Sequence, residues 1–152
     1  MFKKRHPEAG ARPGTLVLCP NATPVEMRVT RVSGEICSSY TCRSTDELPR
    51  PDAGDSLVWI DVNGSGDGVV LQDLARRFRI SPLAMEDLVN APQRPKSELF
   101  EHQHLLIAHC LLVTDRNKAA AGQLGILFAD NYVLTFHQGC EHVLAPIRQR
   151  LE

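Results

Sequence analysis

Glu86 and Asp87 are adjacent carboxylates near the C-terminal end of a short helix that Ser81-Pro82 predicts, a capping serine followed by proline at the first helical position. Met85, Leu88 and Val89 form the apolar stripe of that helix, which puts the two acids on its other side. The macrodipole is negative at this end, so acids here are mildly unfavourable for the helix and the position gains affinity for a cation. Two hard oxygen donors suit Mg²⁺, which keeps most of its water and takes one or two carboxylates. On the residues alone, two solvated carboxylates are the simpler reading.

Other constellations fit their chemistry less well. Asp61-Val-Asn63-Gly-Ser65-Gly66 imitates the start of a calcium-binding EF-hand loop, but position twelve is Gln72 and the preceding segment reads as a strand. A tight strand-to-helix turn accounts for the same glycines. Gly64, Gly66 and Gly68 resemble a dinucleotide fingerprint with Glu86 as its ribose acid, yet the third glycine comes one residue early. Cys37/Cys42, His102/His104 and Cys140/His142 are paired donors, but no CxxC or HxxxH supplies the compact spacing of structural zinc. No GxSxG or local Ser-His-Asp or Cys-His arrangement supports an enzyme.

These residues sit in a chain of 152 residues, 43% apolar, which suits one domain with a packed core. A net charge of −1, with Lys and Arg spread along the sequence, argues against nucleic acid as a partner. The longest near-apolar run, Leu105 to Val113, is far short of the ~20 residues a membrane helix needs. Met1 to Arg5 is basic, but no apolar stretch follows to make a secretory signal. Five irregularly spaced cysteines read as reduced thiols rather than a disulfide framework.

The elements that must position the acids follow from periodicity. Residues 1–14 read as a loose, charged arm, and residues 15–152 as one domain. Thr15 to Leu18, Glu26 to Val32, Ile36 to Cys42 and Ser56 to Val62 are predicted strands. A helix follows from about Gly68 to Phe78, capped by Asp67, with Leu71, Leu74, Ala75 and Phe78 on one face. Leu105 to Val113 has the continuous apolarity of a strand buried on both faces. Gly122 to Phe128 and Tyr132 to Phe136 form a hairpin around Asp130-Asn131. The last segment is helical, with Cys140, Val143, Leu144, Ile147 and Leu151 on its inner face and Pro146 either near its first turn or bending it. No Gly, Asn or Pro closes that helix, so the natural chain is expected to continue. The alternation of elements argues for a mixed, partly antiparallel sheet with helices on its faces.

An ordered set of segments resembles the CorA family of divalent-cation channels: PGTLV (Pro13 to Val17), WIDVNG (Trp59 to Gly64), SPLAMEDLVN (Ser81 to Asn90), PQRPK (Pro92 to Lys96), YVLTFHQ (Tyr132 to Gln138) and HVLAPIRQRL (His142 to Leu151). The set covers nearly the whole chain, thinning around residues 19–55 and 115–122. The resemblance implies a three-layer α/β/α sandwich on the cytoplasmic side of the plasma (inner) membrane, joined by later helices to a pore. It implies a homopentamer in which Mg²⁺, bound between neighbouring domains, favours the closed state, with Mg²⁺ and Co²⁺ as transported ions.

Asp87 matches the family's regulatory metal ligand and Glu86 an acid of a second site. Most partner carboxylates of the family come from beyond residue 152, so this chain is expected to hold half a site and bind Mg²⁺ weakly alone. The family often has His where Ser81 stands and Asp where Ala145 stands. The additional Cys and His leave open a zinc-transporting relative, and a free-standing metal- or ligand-binding module without a pore is the other alternative.

Overall fold

The computed structural model describes residues 7–18, 21–50, 56–113, 119–138 and 140–151. In chain order the elements are β1 (Glu26–Ser33), β2 (Ile36–Cys42), a 3₁₀ turn (Thr45–Glu47), β3 (Leu57–Asn63), α1 (Gly68–Arg77), α2 (Pro82–Val89), β4 (Lys96–Phe100), β5 (Gln103–Val113), β6 (Ala119–Phe128), β7 (Tyr132–His137) and α3 (Glu141–Leu151). The fold is α+β, with three helices and a seven-stranded mixed sheet in the order β2-β1-β3-β7-β6-β5-β4. β3 and β7 run parallel, Ile60 opposite Leu134, and the remaining neighbours run antiparallel.

Strand alternation decides which residues meet which helix. Val58, Ile60 and Val62 of β3 join Met27, Val29, Leu105, Ile107, Leu127, Leu134 and Phe136 in the main core. Leu71, Leu74 and Phe78 from the α1 region and Ala84, Met85, Leu88 and Val89 of α2 pack into the same cluster. The intervening residue Trp59 points the other way and packs with Leu124 and with Leu144 of α3. Gly125 has a packing reason: a Cβ there would collide with the Leu88 side chain, so α2 sits close over β6. Gly64 closes the turn after β3 at φ +89°, where a Cβ would lie 2.5 Å from the Pro24 carbonyl oxygen.

Several expectations change. Thr15 to Leu18 forms no strand; the segment is held instead by side chains of α2. β4 has no apolar alternation to betray it: Lys96, Ser97 and Glu98 precede Leu99 and Phe100, and β4 is an edge strand with one neighbour. β5 is not covered on both faces, since Leu105 and Ile107 are buried while Leu106 and Leu111 are exposed. Ser81 makes no side-chain capping bond, so Pro82 marks the helix start without it. Asp67 does cap α1, its Oδ1 accepting from the Val69 and Val70 amides at 3.0 and 3.1 Å. Cys140 and Leu144 are buried as the stripe of α3 requires, but Ile147 and Leu151 are exposed and Arg148 turns inward in their place. Residues 1–6 of the predicted arm lie outside the described residues.

Candidate divalent-cation site

α2 and its C-cap Asn90 present three polar side chains, two of which hold the N-terminal segment while the third turns to β4. Glu86 reaches toward the N-terminal segment, where its Oε2 accepts from the Gly14 amide at 2.7 Å. Asn90, one turn later and 1% exposed, accepts from the Val17 amide at 2.7 Å and donates to the Thr15 carbonyl at 2.9 Å. An amide is suited to this clasp because it offers a donor and an acceptor side by side. Residues 14–17 therefore gain from α2 the backbone partners a strand neighbour would have supplied.

Asp87 turns toward β4. Its Oδ2 lies 2.6 Å from the Lys96 ammonium, which also lies 2.7 Å from Glu98 Oε2. Burial would lower the Lys96 pKa, but Asp87 and then Glu98 outweigh it and hold the ammonium above the ordinary lysine range. The Asp87 side chain is 17% exposed, against 34% for Lys96 and 48% for Glu98. Gln123 of β6 fixes the backbone beneath, donating to the Asp87 carbonyl at 3.0 Å and accepting from the Gln93 amide at 2.6 Å. Glu86 and Asp87 are thus neighbours in sequence with separate partners, one engaged to Gly14 and one to Lys96. Lys96 ends the PQRPK segment of the resemblance, but neither it nor Glu98 was singled out as a partner of Asp87, because β4 was not legible as a strand.

A second polar cluster lies on the face that carries Trp59. Asp61, 5% exposed, receives the Thr135 hydroxyl at 2.6 Å on Oδ1 and the Arg148 guanidinium on Oδ2. Thr135 in turn accepts from the Trp59 indole at 3.0 Å, and the Arg148 guanidinium sits 5.6 Å from the Trp59 ring centroid. His137 brings Nε2 within 3.1 Å of Asp61 Oδ1, an electrostatic approach whose geometry falls short of a hydrogen bond. Burial alone would raise the Asp61 pKa; His137, Thr135 and Arg148 together overcome it and hold the carboxyl below the usual aspartate range. The residue that opens the EF-hand-like stretch is therefore committed to the interior, and Asp67, just after that stretch, caps α1.

The donors considered for zinc do not converge. Among the described residues no three His, Cys, Asp or Glu side chains come together. His104 Nε2 lies 2.7 Å from the Ser97 hydroxyl and His109 Nε2 lies 2.7 Å from the Gln93 carbonyl. Among the described residues, the one pair of sulfurs brought together is Cys110 and Cys140, which sequence spacing had not joined. Among the described residues no helix is long and apolar enough to cross a membrane.

Residues 54–152, which include α2, β4 and the whole Asp61 cluster, match the family model described as a CorA-like Mg²⁺ transporter protein. The chain belongs to the CorA family. This is a family of transporters, not enzymes. Across 98% of its length the chain is 29% identical to the cobalt/magnesium transport protein CorA of Thermotoga maritima, of which it spans 43%. Its fold resembles the complete CorA magnesium transporter from Methanocaldococcus jannaschii, with a TM-score of 0.57 at 21% identity over 82% of this chain and 38% of that one. The soluble domain of that CorA gives a TM-score of 0.56 at 22% identity, covering 78% of this chain and 46% of that chain. The chain thus spans less than half the length of these CorA proteins.

Proposed function

We propose that this chain is the cytoplasmic ion-sensing domain of a divalent-cation channel, and that Asp87 is its principal ligand for regulatory Mg²⁺. The observation that carries the reading is the Asp87–Lys96–Glu98 arrangement, in which two carboxylates share one ammonium and leave one negative charge unbalanced. A hydrated Mg²⁺ taking the place of the Lys96 ammonium would balance both acids, and it needs only one or two carboxylates beside its water. Lys96 is the competitor that keeps affinity low until a neighbouring subunit supplies further oxygen donors. Glu86 serves a second, weaker position, since binding there must compete with the Gly14 amide.

The ion acts by population shift: bound across a subunit interface that exists in the closed state, it biases the assembly, a homopentamer, toward closure. The placement of α1 and α2 on the main core, and of Leu144 of α3 against Trp59, supports the three-layer α/β/α arrangement of such a domain. Co²⁺ enters as a transported ion through the name of the Thermotoga relative. Zn²⁺ would need a donor set outside the groups described above. Titration of the chain with Mg²⁺, followed by amide shifts at Asp87, Lys96 and Glu98, tests the site. Weak saturable shifts confined to these positions are expected, and their absence up to tens of millimolar Mg²⁺ would contradict it.

A further inference from the structure

We propose that Cys110 and Cys140 form a reversible disulfide, making the junction of β5 and α3 a thiol-modification site that takes small-molecule disulfides of the glutathione class. The two sulfurs lie 2.9 Å apart, about 1 Å beyond a covalent S–S bond. They come from separate elements: Cys110 stands on β5 opposite Gly122, and Cys140 immediately precedes α3, its carbonyl accepting from the Val143 amide at 3.0 Å. Gly122 leaves the neighbouring position on β6 without a side chain. The approach needs no partner chain and no metal.

The two thiols differ in access. Cys140 is fully buried, while Cys110 is partly exposed. Burial, with the neighbouring Cys110 sulfur adding to it, pushes the Cys140 thiol up to about 12, so Cys140 stays protonated near neutral pH. Cys110 is the sulfur an outside reagent reaches. Its thiolate attacks one sulfur of oxidised glutathione, the S–S bond breaks, and one glutathione leaves as a thiolate that takes up a proton. Cys140 then gives up its proton and attacks the Cys110 sulfur of the mixed disulfide, expelling the second glutathione. Two protein thiols are oxidised, one glutathione disulfide is reduced to two thiols, and no other reactant is needed. In a reducing compartment such a bond is transient and reports redox poise rather than holding the fold together.

The bond would fasten the start of α3 to the sheet, and α3 is the helix that delivers Arg148 to Asp61. The test is to equilibrate the 152-residue chain in glutathione buffers of rising oxidised fraction, block free thiols, and map the peptides. A Cys110–Cys140 linked peptide with loss of two hydrogens is expected, and the oxidised chain should melt about 5–10 °C higher. Cys110→Ser, at the partly exposed position, should abolish both the link and the shift. A stable glutathione adduct on Cys110 without closure, pairing with other cysteines, or free thiols at both positions in the most oxidising buffer would overturn the proposal. So would a melting shift that survives in Cys110→Ser.

Discussion

Arg148 on α3 donates to Asp61 at the middle of β3, joining two buried, oppositely charged residues that stand 87 positions apart in the sequence. The bond ties the last helix to the centre of the sheet and explains why a charged residue replaces the expected apolar one on the inner face of α3. Replacing Arg148 with Met would leave Asp61 buried without the guanidinium that pairs with it, and loss of one partner of a buried pair costs about 3–5 kcal/mol. Chemical unfolding of Arg148→Met against the parent chain measures this, and a loss below about 1 kcal/mol would show that α3 is held by other contacts.

The same carboxylate sets an acid dependence. Its folded-state pKa lies below the ordinary aspartate value, so its contribution is present above about pH 4 and is lost as pH falls through the folded pKa. Asp61→Asn cannot titrate. The variant should be less stable at neutral pH, yet its stability should fall less steeply below about pH 4 than that of the parent. Parallel acid slopes in urea titrations at several pH values would assign the acid sensitivity to other groups.

Asn90 replaces a strand pairing for residues 15–17, and its removal should be felt there first. Asn90→Ala deletes both side-chain bonds and leaves the Val17 amide without its partner, at a cost of about 1–3 kcal/mol. Hydrogen exchange at Val17 should quicken while exchange in β3 and β7 slows or quickens only with global stability. Protection at Val17 equal to that of the parent would mean the segment is anchored elsewhere.

Much of this architecture was legible in the chain, because most elements carry a strong period. The predicted strand Ile36 to Cys42 has the limits of β2, and the helix capped by Asp67 begins where expected. Its buried residues Leu71, Leu74 and Phe78 follow from the 3.6-residue period. What failed shares a cause: the partner was distant and the local pattern silent. β4 reads Lys-Ser-Glu-Leu-Phe and is a strand because β5 pairs with it. Thr15 to Leu18 has strand-like residues, but no strand among the described residues pairs with it. The partners of Asp87 and Glu86, Lys96 and Gly14, are likewise products of tertiary placement, so the sequence indicated the acids without indicating what occupies them.

On the proposal that a divalent ion uses Asp87, Lys96 is the residue through which its affinity could be raised. Lys96→Met removes the ammonium that Asp87 and Glu98 share while keeping an apolar stem of similar length. If a divalent ion uses these acids, the variant should bind Mg²⁺ about three- to tenfold more tightly than the parent, measured by amide-shift titration. An affinity unchanged or reduced would mean that Lys96 does not compete with the ion.

The most direct measurement is the Mg²⁺ dependence of ion flux through a full-length channel carrying this domain, with and without Asp87→Ala. The account predicts that the variant still conducts at internal Mg²⁺ concentrations that close the parent, its half-closing concentration raised about tenfold or more, equivalent to about 1.4 kcal/mol of lost coupling. An unchanged half-closing concentration would contradict the assignment of Asp87 as the regulatory ligand.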